Sequence, residues 1–269
     1  MRLSEARVVL TGASGGIGAA IADALCANGA QVLAVARHRE SLAPVLERYP
    51  QQVFWIGADL TFLADRRKVL TAAQAMGGIN LLINAAGVNH FAMLEQLEDS
   101  DINAMLAVNI SAPICLTKIL LPLLKQASSA MVVNVGSTYG SIGYPGYASY
   151  CASKFALRGF SEALRRELSD TRVGVLYVAP RATSTPMNSP AAQALNDALN
   201  ANVDDPQTVA SAVIRAIAGD HRELYLGWPE RFFVRLNSLL PNLIDRSLRK
   251  HLPLIRRLSQ KTDNEDLNP

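Results

Sequence analysis

Thr11-Gly12-Ala13-Ser14-Gly15-Gly16-Ile17-Gly18 is the stretch that decides the fold of this chain. An apolar run at residues 7–10 precedes it and a helix-like run at residues 17–27 follows, so the glycines sit where a strand turns into a helix. Glycine lets a backbone turn sharply and lets a ligand approach it closely. The helix start then presents unpaired N–H groups and positive partial charge, which suit a pyrophosphate. A glycine-rich turn without a ligand is the plainer reading, but the strand before and the helix after favour a phosphate cradle. The spacing is Gly12, three residues, Gly16, one residue, Gly18, which differs from the Gly-x-Gly-x-x-Gly dinucleotide fingerprint.

Outward from that turn, short apolar runs alternate with longer helix-like ones. Strands are predicted at residues 31–36, 52–57, 80–83, 130–135, 172–178 and 223–226, and helices at 40–48, 66–75, 101–108, 113–126, 148–168 and 206–218. The strands are apolar with little alternation, the mark of a parallel sheet covered on both faces. Parallel neighbours need crossover connections, so this order predicts an α/β fold with a doubly wound parallel sheet of the Rossmann kind. Ligands of such sheets bind beyond the carboxyl ends of the strands, which directs attention to the residue after each strand.

Composition sets the bounds. A chain of 269 residues, 49% hydrophobic, suits one large domain. It is expected over residues 1–227, with an extension over 228–269. A net charge of +3 is too small to imply a nucleic-acid partner. Cys26, Cys115 and Cys151 are odd in number and fit no zinc spacing, so reduced thiols and no metal site are expected. No signal-like segment precedes the first strand, and no uncharged apolar run looks long enough to span a bilayer. A cytoplasmic protein is the default expectation.

The residues after the strands are chemically suggestive. Asp59-Leu60 follows the third strand, Asn84-Ala85-Ala86-Gly87 the fourth, Ser137 the fifth and Pro180 the sixth. Asn109 lies in the helical stretch after the fourth strand, and Tyr150-Cys151-Ala152-Ser153-Lys154 lies on the long helix. Singly, each has a bland explanation: Asp59 a helix cap, Asn109 a kink or cap, Ser137 a turn residue, Tyr150 and Lys154 a chance pair. Together and in order with the glycine turn, over roughly residues 5–227, they resemble the short-chain dehydrogenase/reductase family.

That resemblance implies an NAD(P)-dependent oxidoreductase acting on a ketone or secondary alcohol. It implies a cofactor site made of Gly12, Ser14, Gly16, Ile17 and Gly18, with Asp59 and Leu60 near the adenine, and Asn84, Ala85, Gly87, Pro180 and Thr185 further along. Thr185 falls where the family has a threonine facing the nicotinamide carboxamide. It implies a catalytic group of Asn109, Ser137, Tyr150 and Lys154. Asn109 would hold a water in a proton relay, and Lys154 would also bind the ribose hydroxyls. Family members are commonly homodimers or homotetramers, which implies assembly through residues 113–126 and 148–168.

The chemistry asked of these residues is physically sensible. Reducing a ketone needs a hydride from one side and a proton on the oxygen. A free tyrosine has a pKa near ~10 and is a poor base at neutral pH. Tyr150 and Lys154 are four apart on a helix and share a face, so the ammonium is expected to favour tyrosinate and lower that pKa. The Ser137 hydroxyl can hydrogen-bond the substrate oxygen and fix its position.

The cofactor choice rests on the end of the second strand. An NAD-preferring site has an acid about 20 residues past the glycine turn, on the ribose 2′-hydroxyl. Here Ala36 is followed by Arg37, His38 and Arg39, with no acid before Glu40. Arginine pairs with a 2′-phosphate that a carboxylate would repel, so Arg37 is the main reader of NADP(H), with Ser14 and Arg39 able to assist.

Two features depart from the family. Pro180 is followed by Arg181, where the family commonly has glycine. Arg181 is expected either on the cofactor or an anionic substrate group, or in solvent. Residues 184–205 are expected to form a mobile lid, and residues 88–94 and 139–147 to line the pocket. The second departure is the extension, whose apolar residues recur at helical spacing among Arg and Lys, broken by Pro229, Pro241 and Pro253. Such a basic amphipathic segment can pack on the core or a partner subunit, wall a greasy pocket, or touch an anionic membrane. The residues after Thr262 are acidic and expected to fray. Two other readings stay open: a 3-oxoacyl-thioester reductase whose acidic carrier docks on the basic segment, and a catalytically silent dinucleotide sensor.

Overall fold

Strands β1 (Arg7–Thr11), β2 (Gln31–Ala36), β3 (Val53–Gly57), β4 (Leu81–Asn84), β5 (Ala130–Val135), β6 (Val173–Ala179) and β7 (Glu223–Tyr225) form one parallel sheet in the order β3-β2-β1-β4-β5-β6-β7. The structure is a computed structural model and describes residues 1–260. The strand order reverses between β1 and β4, so the ends of these two strands flank the crevice where such sheets take ligands. All four residues of β4 and all six of β5 are buried, which explains why these runs show no polar alternation.

The described helices are α1 (Gly16–Ala27), α2 (Ala43–Arg48), α3 (Leu63–Ala75), α4 (Asp99–Leu106), α5 (Ala112–Gln126), α6 (Ala148–Glu167), α7 (Pro190–Ala198), α8 (Pro206–Ala218), α9 (Trp228–Leu239), α10 (Pro241–Arg249) and α11 (Leu252–Ser259). On one face of the sheet α1 and α8 bury Ile21, Leu25, Val213 and Ile217 against Val8, Leu10 and Val32. On the other, Leu116 and Leu120 of α5 and Leu164 of α6 pack on Val9, Leu82 and Val132.

One expectation needs correction. The separate helices expected at 101–108 and 113–126 are one continuous element. The wide π turn Ala107–Ser111 joins α4 to α5, and Pro113 sits in the first turn of α5. This Asp99–Gln126 element is, by length and composition, apolar enough to cross a membrane, although Lys118 interrupts its uncharged run. The burial of Met105, Leu116, Leu120 and Leu124 marks it as a core helix of the sheet. The segment expected to form a mobile lid contains α7, whose start follows from its sequence: Ser189 accepts the Ala192 N–H at 3.2 Å, and Pro190 follows it.

The extension forms α9, α10 and α11, each with a proline in its first turn, where the missing N–H costs nothing. Ile255 and Leu258 of α11 are buried with Phe91, Tyr147, Cys151, Ala192 and Leu195, so this helix walls the pocket side of the domain. Lys261 and the acidic tail lie outside the described residues.

Candidate active site

The glycine turn is a cradle that side chains would fill. A Cβ on Gly18 would lie 2.0 Å from the Gly12 carbonyl oxygen. Gly12 itself has φ of 67°, and a Cβ there would meet the Ala86 N at 2.7 Å. The Thr11 hydroxyl accepts the N–H groups of Ala85 and Ala86, both at 3.1 Å, and so ties the end of β1 to the end of β4. Beneath this junction, the Asn84 amide donates to Thr117 Oγ1 at 3.2 Å and to Asn134 Oδ1 at 2.8 Å. The Asn134 amide in turn donates to Ser161 Oγ at 2.9 Å. The Asn84 side chain therefore braces the scaffold rather than facing the cleft.

The expected catalytic group lies on α6 and just past β5. The Lys154 ammonium is buried, donates to the Val135 carbonyl at 3.1 Å, and lies 5.5 Å from the centroid of the Tyr150 ring. Burial pushes its pKa down to about 8. Burial also pushes Tyr150 up to about 12, while the neighbouring Ser137 hydroxyl acts in the opposite sense. The expected lowering of the Tyr150 pKa is therefore not a property of the protein by itself, where desolvation is the largest influence. Tyr150 is then a protonated phenol at neutral pH, suited to giving a proton.

Ser137 caps the turn Thr138–Gly140 by accepting the Tyr139 N–H at 3.1 Å. Its own backbone is held by a residue the sequence reading missed. The buried Tyr177 hydroxyl donates to the Ser137 carbonyl at 3.2 Å and accepts its N–H at 3.5 Å. Tyr177 reads as one more apolar residue of β6, so only the contact reveals the role.

Asn109 sits in the π turn and is buried. Its Oδ1 accepts the Val88 N–H at 2.9 Å, and its amide donates to the Val88 carbonyl and to Ser153 Oγ, both at 3.0 Å. The side chain is thus fully used in pinning the 85–88 loop to α6. Its carbonyl is different: Pro113, four residues on, has no N–H to give it.

These elements enclose a cleft of about 570 Å³. Of the expected residues, Gly12, Ser14, Gly16, Ile17, Gly18, Ala85, Gly87, Ser137, Tyr150, Lys154, Pro180 and Thr185 line it. Arg37, Asp59, Leu60, Asn84 and Asn109 do not. Arg37 is exposed past the end of β2. Asp59 accepts from the Thr61 N–H at 2.9 Å and the Thr61 hydroxyl at 2.7 Å, and the Leu60 carbonyl accepts from Arg66. The expected loop residue Asn89 and Tyr139, Tyr144 and Tyr147 line the cleft, as do Leu195 of α7, within the expected lid, and Phe233 of α9, in the extension. Cys151, beside Tyr150, is buried with its thiol pKa raised by that burial, which argues against a reactive thiol.

Arg181 lines the cleft and is largely shielded from solvent. It pairs with Asp204 at 2.7 Å and with Glu230 at 3.4 Å, and its pKa is raised by the hydrogen bond to Asp204. The guanidinium joins the exit of β6 to the lid, through the bridge of Thr183 to Asp204, and to α9. Its backbone is not in the left-handed region, so glycine is not required there.

Residues fit for a dinucleotide are therefore present. The cradle of Gly12, Gly16 and Gly18 leaves the room that Cβ atoms would take, and the buried Lys154 lines the same cleft. Comparison with known proteins agrees. The family profile described as short chain dehydrogenase matches residues 6–196. The 3-oxoacyl-[acyl-carrier-protein] reductase FabG of Vibrio harveyi is 30% identical over 224 residues, 80% of this chain and 90% of that one. A short chain dehydrogenase from Burkholderia cenocepacia, solved in complex with NADP, superposes with a TM-score of 0.80 at 26% identity, covering 92% of this chain and 99% of that one. A short chain dehydrogenase/reductase from Burkholderia phymatum, solved in complex with NAD, has a TM-score of 0.82 over 90% of this chain and 96% of that one. At 22% identity this last likeness concerns the fold alone.

Proposed function

Because this chain belongs to the short-chain dehydrogenase/reductase family and is an oxidoreductase of that kind, we propose that it interconverts a ketone and a secondary alcohol with NADP(H), using Tyr150 as the general acid/base. The observation that carries this reading is that Ser137, Tyr150 and Lys154 line the same cleft as the glycine cradle.

Gly12, Gly16, Gly18, Ala85 and Gly87 would hold the dinucleotide backbone, with Arg37 and Ser14 reading the 2′-phosphate and Thr185 and Pro180 bordering the nicotinamide. Asp59 and Leu60 would border the adenine, and Asn84 would brace the strand end beneath. Bound cofactor supplies or accepts the hydride. Ser137 orients the substrate oxygen, and Tyr150 delivers a proton to it. Lys154 holds the ribose hydroxyls and, while protonated, favours the tyrosinate left behind. The Asn109 carbonyl holds a water that returns the proton. In the alcohol-to-ketone direction Tyr150 must be brought down from about 12; protonated Lys154 favours the tyrosinate, and a bound oxidised nicotinamide would add to that field.

The NADP preference rests on Arg37, Arg39 and the lack of an acid after β2. The relation to FabG favours a second substrate reading, reduction of a 3-oxoacyl thioester. The intact Tyr150, Lys154 and Ser137 speak against a silent dinucleotide sensor. The likeness to family members also supports a homo-oligomer built on α5 and α6, where Phe155 stays 42% exposed. The test is titration of the purified protein with NADPH and NADH, followed by a ketone screen with the tighter binder. NADPH binding at least about ten-fold tighter supports the reading. Equal or tighter NADH binding refutes the cofactor assignment, and binding without turnover of any ketone, diketone or oxoacyl thioester favours the sensor.

A further inference from the structure

The three helices of the extension use only one side to join the body. Val234 of α9, Ile244 of α10 and Ile255 and Leu258 of α11 are buried, and the Asn237 amide donates to the Ser141 carbonyl at 3.0 Å. The opposite side is unusually apolar for a surface. Trp228 and Leu239 are each 78% exposed, and Phe232, Leu240 and Leu243 are each about half exposed. Trp228, Phe232, Arg235 and Leu239 are spaced four, three and four apart, one stripe along α9. Trp228 and Phe232 stack with ring centroids 6.4 Å apart, presenting a flat aromatic edge to solvent.

Charge says what covers this side. Arg231, Arg235, Arg246, Arg249, Lys250, Arg256 and Arg257 are all exposed, and none has an ion-pair partner among the described residues. Of the two acids in the same helices, Glu230 is taken by Arg181, leaving Asp245. A second copy seated on the same face about a twofold axis would bring these cations against their own images. An anionic lipid surface instead accepts both components, with aromatic rings at headgroup depth and arginines on phosphates.

We propose that α9, α10 and the outer side of α11 form an interfacial surface for an anionic membrane. The surface borders the cleft: Pro229, Glu230 and Phe233, on the same α9, line its mouth. A membrane seated there leaves the mouth open toward the acyl region, so the substrate class is a neutral, lipid-soluble ketone taken from the bilayer. This second step rests on the reductase reading; the membrane contact does not.

The test is co-sedimentation of the full chain with vesicles of phosphatidylcholine alone and of phosphatidylcholine mixed with phosphatidylglycerol. Binding to the anionic vesicles is expected, weakening at high salt. The pairs Trp228→Ser with Leu239→Ser and Arg235→Glu with Arg246→Glu each lower the partition at least about ten-fold. Thermal midpoint and dinucleotide affinity stay unchanged, and Tyr150→Phe binds vesicles as the native chain does. Equal binding to both vesicles, no binding, or a Trp228→Ser/Leu239→Ser variant that dissociates an oligomer instead would overturn the membrane assignment. For the substrate route, a long-chain methyl ketone carried in anionic vesicles is compared with a short water-soluble ketone. The native chain is expected to gain rate only on the former, and the Trp228→Ser/Leu239→Ser variant to lose that gain alone. Reduction of the soluble ketone only refutes the route; reduction of neither, with vesicle binding intact, refutes the reductase reading as well.

Discussion

The Lys154 ammonium stands 5.5 Å from the centre of the Tyr150 ring and is held there by the Val135 carbonyl. Both groups are pushed by burial toward their neutral forms, the lysine to about 8 and the tyrosine to about 12. The protein alone thus prepares an acid, and its lysine loses charge within the working pH range. A polyanionic dinucleotide favours the charged lysine, so affinity for NADPH should fall as pH rises through about 8. Titration across neutral to alkaline pH checks this. Lys154→Met should bind more weakly and lose that pH step.

The same lysine sets a stability trend. Its folded pKa lies below the unfolded value of 10.5, so the unfolded chain binds more protons between about 8 and 10.5. Its contribution is therefore present above that window and is lost as pH falls through it. Tyr150 opposes this above its ordinary 10, since the folded protein keeps that proton up to about 12. Denaturant midpoints of native chain and Lys154→Met should converge as pH rises from 8 toward 10.

Tyr177 makes Ser137 dependent on a glycine. A Cβ on Gly136 would lie 2.3 Å from the Tyr177 hydroxyl oxygen and from its ring. Gly136→Ala should cost about 1–3 kcal/mol in denaturation and lower kcat through displacement of Ser137. Tyr177→Phe should spare the packing and still lower kcat, with cofactor affinity unchanged.

Arg181 couples the lid to the extension through Asp204 and Glu230, and all three side chains are at least three-quarters shielded from solvent. Arg181→Ala should destabilise by roughly 2 kcal/mol, because Asp204 is left shielded without its partner. Faster proteolysis within residues 184–204 would report the freed lid. Arg181→Ala combined with Asp204→Asn should recover part of the loss.

Arg37 is exposed and takes its meaning only from the cofactor. Arg37→Asp should reverse the preference, weakening NADPH at least about ten-fold while leaving NADH within about two-fold.

Much of this was legible in the sequence, for physical reasons. The buried runs of β1, β4 and β5 and the glycine turn follow from local rules, so the sheet and cradle could be read directly. The Tyr150 and Lys154 pair could be read because helical spacing fixes their common face. What escaped depends on contacts distant in sequence. Tyr177 reaches Ser137 across 40 residues, and Arg181 finds Glu230 across 49. The π turn at Asn109 escaped because an extra residue per turn leaves no local pattern, although Pro113 hinted at it. The sign of the Tyr150 shift escaped because it is set by burial, which spacing does not reveal.

The central claim is most directly tested by Tyr150→Phe, assayed for NADPH binding and for NADPH-dependent reduction of every ketone the native chain reduces. The account predicts binding within about two-fold of native and turnover lowered by roughly 10²–10⁴. A variant that binds NADPH and reduces those ketones at native rates would contradict it, because the proton would then come from elsewhere.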